Sequence, residues 1–379
     1  MKTIAMVLLA ILITITGYAQ TVSTFVGPGI NIDDDMIMDA AGNIYGSRYT
    51  GSRVYKVTPD GVVSVYAQGI VSPNGLAIDS NGILYVADNQ GNKIYKITSD
   101  STKTQYGPNL SSPSGLLFEP DSDTLIVTQW TQNRISKLAP DGTLTVYKSG
   151  NGLNGPVGMA MDENGNFYVA NYNDGKVFHV TDDSLIQLAV VPGTNFGAVG
   201  FLEYAAGNLY ATGIAVHRIY KISLSGEMTV FAGTGVAGLV NGPADSARFS
   251  NPNGILASPD HDKLYISDFG TKSIRLIDNI VSGVSGATGQ LPENFRLEQN
   301  YPNPFNPGTT IAYEIPERAA VSLKIYNVMG EEVATLVDGV QQPGRHTVNW
   351  NAGDLASGIF FYRIRSGEFV QTKKLTLMR

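Results

Sequence analysis

Asp34, Asn74 and Asn253 are the residues whose types and spacing could best do chemistry. Each stands just before a short apolar strand pattern in a unit that recurs about every 40 residues. Oxygen atoms from three such units could converge on a hard cation, calcium or another divalent ion. Asn and Asp also cap turns, so a ligand triad and a set of turn caps are both open readings. A second set falls after the second strand of each unit: Tyr49, Trp130, Tyr172 and Phe269, with Arg48, Asp88, Asn171 and Asp268 directly before them. Four aromatics around one rim could stack on a glycan or peptide, and their polar neighbours would suit a hydroxyl-rich ligand. The other reading is that these rings pack against neighbouring loops.

Other motif-like stretches carry no chemistry. Gly233-Thr234-Gly235-Val236-Ala237-Gly238 fits GxGxxG, but LVNGPADSARFSNPNG follows it, too rich in Gly and Pro for the helix a dinucleotide site needs. Asp162-Glu163-Asn164-Gly165-Asn166 reads as a hairpin turn, because no bidentate Glu closes it as a calcium loop. His179, His217, His261 and His346 are scattered, and no Ser-His-Asp order is suggested.

The elements that position the two sets are repeated strands. Aligned on the ILYVAD segment, the anchors are Tyr45, Tyr85, Ile126, Tyr168, Tyr210 and Tyr265, spaced by 40, 41, 42, 42 and 55 residues. Several short strands per unit at this period predict the blades of a propeller. The sixth unit lacks a fourth strand after SIRLIDNI. TVSTFV (Thr21 to Val26) resembles the fourth strand of unit five, MTVFAG, and is expected to complete the last blade and close the ring. Closure removes the open sheet edges.

Val230 to Asp278 resembles NHL repeats: a Pro-x-Gly turn, a Leu-Tyr-Ile-Ser-Asp strand and an Asn-Lys-Ile type turn, as at Asn92-Lys93-Ile94 and Asn133-Arg134-Ile135. That resemblance implies a six-bladed β-propeller. The channel-mouth positions are also distantly similar to the gluconolactonase and senescence-marker family, which implies a divalent-metal-dependent lactonase using Asp34, Asn74 and Asn253. Two departures stand against it. An Asp33-Asp34-Asp35 run replaces the expected Glu, and Val157 and Val199 occupy two ring positions.

The chain has 379 residues, 16% charged, with a net charge of −7 and no cysteine. An acidic chain without a basic patch is not expected to bind nucleic acid. Lys2, the apolar run Ile4 to Thr16 and the small residues Gly17 and Ala19 read as a signal peptide. The run is too short for a membrane span of about 20 residues, so no transmembrane segment is expected in the mature chain.

The C-terminal part resembles the type A sorting domain of type IX secretion cargo. The markers are Asn303, Pro304, Phe305, Asn306 and Pro307 within NYPNPFNP, then Gly344-Arg345-His346, Leu355-Ala356-Ser357-Gly358, Lys373 and Lys374. The resemblance implies delivery by that machinery to the outer cell surface or medium. Alternation in VSLKIYNV and IFFYRIRS predicts a small Ig-like sandwich. The expected organisation is all-β: signal peptide 1–19, propeller 20–280, linker 281–290 and sorting domain 291–379. The functional expectation is a non-catalytic surface binding protein, with the metal-dependent hydrolase as alternative.

Overall fold

The computed structural model describes residues 20–98, 101–119, 122–193, 197–280, 295–316, 318–341, 344–353 and 355–378. The proposed signal peptide and linker lie outside the described residues. Six antiparallel sheets follow one another, and their first strands lie side by side in cyclic order, the last beside the first. Blade two shows the common plan: Pro73–Ile78, Leu84–Asp88, Lys93–Ile97 and Lys103–Tyr106, from channel to rim. The chain is an all-β propeller of six blades.

Alternation along the strands gives every blade two apolar faces. Tyr45, Val54 and Ala67 of blade one meet Leu76, Leu84, Val86 and Ile97 of blade two, and comparable clusters fill the other interfaces. The turn Asp162–Asn166 is a hairpin. Asp162 accepts the N–H groups of Asn164 and Asn166 at 2.9 Å and the Tyr168 hydroxyl at 3.1 Å.

Closure takes the expected form. Thr21–Val26 pairs antiparallel with Ser273–Asp278, Val22 opposite Ile277. The excess length of the last repeat is a connection whose Gly242–Pro243 adds one further short strand outside Thr21–Val26. GxGxxG therefore belongs to a loop, in which Gly233 N–H donates to Ala244 O.

The glycine of the Pro-x-Gly turn has a packing cause. A Cβ on Gly75, Gly115 or Gly254 would lie 2.1 Å from the carbonyl oxygen of Ser114, Val157 or Asp34 in the next blade. A hydroxyl from the second strand completes each clasp where one is present. Ser267 Oγ accepts Gly254 N–H at 2.7 Å and donates to Asp34 O at 2.6 Å. Gly254→Ala must therefore push two backbones apart, and should cost about 3 kcal/mol of stability in thermal unfolding. Gly339→Ala, with nothing within 4 Å, should be near neutral. Equal effects of the two would refute the clasp.

The C-terminal part is a two-sheet sandwich. Arg296–Leu297, Gly308–Ile315 and Gly344–Asn351 face Glu332–Gln341, Ala319–Tyr326, Gly358–Ser366 and Phe369–Leu377 across a common core. The NPFNP segment fastens the last strand. Phe305 is buried 5.4 Å from Trp350, its N–H donates to Thr376 O, and Asn303 Oδ1 accepts Thr376 N–H. Pro307 O accepts Ala352 N–H, while Pro304 and Asn306 are exposed. Lys373 and Lys374 lie on the final strand, Lys374 exposed. Among the described residues no helix is long and apolar enough to cross a membrane.

Candidate functional site

One face of the ring holds a cavity of about 500 Å³ at the channel mouth. Its wall comes from the loops after the second strands: Tyr49, Asn89, Trp130, Tyr172, Ile214 and Phe269, one per blade. Backbone bonds set their height. The N–H groups of Asn89, Trp130, Tyr172 and Phe269 donate to Ser72, Ser112, Gly155 and Asn251 O, each just before an inner strand. Trp130 and Tyr172 meet edge to face at 6.4 Å. The four aromatic rim residues picked out from the sequence therefore share one cavity.

Arg48, Asp88, Asn171 and Asp268 do not line it, which corrects the expectation that they flank the ligand. Asp88 accepts the N–H groups of Val71, Ser72 and Gly91. Asp268 accepts Ser250 N–H and the Thr271 hydroxyl, and Asn171 donates to Gly152 O and Asp174. These three are fully buried and hold loops in place. Arg48 lies 3.6 Å from Asp33 and donates to Asn31 Oδ1.

The floor comes from the ends of the inner strands: Asp33, Asp34, Asn74, Ser114, Val157, Phe201 and Asn253. Asp34, Asn74 and Asn253 do converge. Asn74 Nδ2 donates to Asp34 Oδ2 and Asn253 Nδ2 to Asp34 Oδ1, both at 2.8 Å. Each Asp34 oxygen thus already has a donor, and the amide nitrogens face it. A cation bound there would need both amides turned to present oxygen, so the floor as arranged does not fit a metal. Among the described residues no group of three or more His, Cys, Asp or Glu is placed to hold one.

Burial dominates the electrostatics. It raises the Asp34 carboxyl well above the usual range, and the charges of Asp35 and Asp33 add to it against the two amide bonds. Asp33 rises to about 6 through burial, opposed mainly by Arg48. Asp35 rises to about 7 through burial, against N–H donors from Leu76 and Met36. Burial also raises the Tyr172 hydroxyl, with Asp34 and Tyr49 contributing from across the channel.

Sequence reasoning missed Phe201 and Asn251. Phe201, not Val199, reaches the cavity: the first hairpin of blade five is one residue shorter than that of blade two, Leu202 pairing with Ala211 where Leu76 pairs with Val86, so Phe201 takes the position of Gly75. Phe201 N–H, not that of Gly200, meets the Thr212 hydroxyl. No histidine lines the cavity among the described residues. His217 Nδ1 accepts Asn251 N–H and His261 Nδ1 accepts Ala206 N–H, while His179 lies against the Tyr168 ring and His346 stacks on Tyr313.

With that geometry in place, residues 31–267 match the model of the virginiamycin B lyase family. The chain belongs to that family. Residues 299–378 match the secretion system C-terminal sorting domain, which marks the chain for export. No curated protein matches. Among solved structures, an auxiliary nutrient binding protein from Bacteroides ovatus is 17% identical with a TM-score of 0.59, over 69% of this chain and 76% of that one. A gluconolactonase from Xanthomonas campestris is 16% identical, TM-score 0.54, over 68% and 89%. A catalytically inactive virginiamycin B lyase from Staphylococcus aureus with quinupristin is 17% identical, TM-score 0.51, over 68% and 99%. At these identities the likeness is one of fold.

Proposed function

We propose that this exported member of the virginiamycin B lyase family is a non-catalytic binding protein that takes a peptide or glycan into the channel-mouth cavity. The observation that carries the reading is the ring of Tyr49, Trp130, Tyr172 and Phe269 around one cavity. Aromatic walls over a few polar groups suit recognition of a small ligand. The Bacteroides proteins described as auxiliary nutrient binding proteins are in keeping with it. Asp34 is not free to act as a base, since both of its oxygens are occupied, and no histidine lines the cavity among the described residues.

A second reading is the divalent-metal-dependent hydrolase, with Asp34, Asn74 and Asn253 as ligands. Asn74 Oδ1, buried without a hydrogen-bond partner, favours it, and the reading requires the Asn74 and Asn253 amides to turn away from their bonds to Asp34.

One experiment on the full-length exported protein separates the two. Glycan and peptide arrays would be probed with the wild type and with a triple variant, Tyr49→Ala, Trp130→Ala and Tyr172→Ala, after elemental analysis of both. Binding without retained metal, weakened about 100-fold or more in the triple variant, is expected. One equivalent of a divalent ion, lost on Asp34→Ala together with lactone or ester hydrolysis, would replace that reading with the hydrolase.

A further inference from the structure

The polar groups of the cavity constrain the charge of its occupant. Asp33 and Asp34 contribute carboxyl groups to the lining, and no Lys, Arg or His does so among the described residues. Arg48 and Lys272 act on Asp33 from outside the cavity. Asp34 is bordered by two amides and by the carboxyl groups of Asp33 and Asp35. An anion entering here would find repulsion.

Two buried acceptors also lack donors. Asp33 Oδ1 and Asn74 Oδ1 have no hydrogen-bond partner among the protein groups, on residues only 5% and 7% exposed that line the cavity. Asn74 cannot supply its own donor, because Nδ2 is committed to Asp34. No protein group donates to these two acceptors, and an occupant that donates hydrogen bonds would satisfy them. Above the floor stand the aromatic rings, whose faces attract cations and whose area suits an apolar body.

We propose that the cavity binds a protonated amine carried on an aromatic or branched apolar body. The ammonium N–H groups donate to the floor acceptors and the body lies among Tyr49, Trp130, Tyr172 and Phe269. This rests on the ligand-binding reading and names its ligand class. A peptide with a free N-terminus meets the requirement, and a neutral glycan does not.

The test uses three probes with one body and three charges: 2-phenylethylammonium, 2-phenylethanol and 3-phenylpropanoate. The chain's two tryptophans are Trp130, in the cavity wall, and Trp350, in the sandwich core. Ligand-dependent fluorescence of the full-length protein therefore reports on Trp130, and Trp130→Phe should abolish the signal. At neutral pH and low salt the amine should saturate with an affinity at least about tenfold above the alcohol and the acid. Asp33→Asn keeps an oxygen for Arg48 and turns an amide N–H into the cavity, and should erase that preference. Equal or tighter binding of the alcohol or the acid would overturn the amine proposal while leaving a binding protein. Silence of all three probes, with a ligand found on the arrays, would overturn it in the same way. If probes and arrays are both silent, the binding reading falls too.

Discussion

Arg275→Met should destabilise the propeller by about 4 kcal/mol or more and lower its melting temperature by about 10 °C. Arg275 is fully buried. Its guanidinium donates to Arg248 O at 2.7 Å, Val240 O at 3.0 Å, Asn241 Oδ1 at 2.8 Å and Ser23 O at 3.4 Å. It lies 3.7 Å from Asp268 Oδ2 and 5.2 Å from the Phe249 ring. Those partners belong to the long connection, the closing strand and the second strand of blade six. Methionine would fill most of the volume but take the guanidinium donor from four acceptors and from the buried Asp268 carboxyl, and each such loss is unfavourable. Lysine should not rescue it, because one ammonium cannot reach a fork of divergent acceptors. Thermal unfolding of both variants checks this. A loss below about 1 kcal/mol for methionine would mean that closure depends on strand pairing alone.

Closure was legible in the sequence because it is a matter of counting strands, and Thr21–Val26 was the missing one. Its fastener was not. Arg275 sits in a strand where a blade usually buries an apolar residue, and no local pattern shows that the carbonyls of a distant loop arrive there. The rim aromatics were legible because repeats place equivalent residues at equivalent points. Assigning Asp88, Asn171 and Asp268 to the same cavity ignored the pleat: a residue next to one that faces the cavity faces away from it. That alternation was available in the sequence and would have excluded them. The Phe201 position was not available, because a first hairpin one residue shorter shifts blade five without breaking its apolar pattern. The aspartate run could be seen but not interpreted. Asp34 sits where blade two has Asn74, and Asp35 sits where blade two has Gly75, so a carboxylate stands at a blade junction that a closely packed glycine fills in blades two, three and six.

That junction sets the second large effect, a dependence of stability on pH. Asp35 Oδ2 accepts Leu76 N–H from the next blade at 2.8 Å, and Oδ1 accepts Met36 N–H at 2.9 Å. Burial nevertheless holds its carboxyl at about 7, against 3.8 as the ordinary value. Between those values the folded chain holds a proton that the unfolded chain has released. Stability therefore falls as pH rises through this window, and the cost is complete above about 7. A shift of this size corresponds to about 4 kcal/mol. In Asp35→Asn the amide keeps one acceptor and loses the other, a cost of about 1–2 kcal/mol at every pH. The variant should thus be less stable than the wild type near pH 4 and equal or more stable near pH 8, with the two curves crossing in between. Asp33, Asp34 and Glu203 titrate in both proteins. Removing the Asp35 charge relieves Asp34 and Glu203 in the same direction, since it raises both. Arg48 and Lys272 act on Asp33 in both. Denaturant unfolding at pH values across this range measures the difference. Parallel curves would mean that Asp35 stays ionised at the blade junction, held by its two backbone donors.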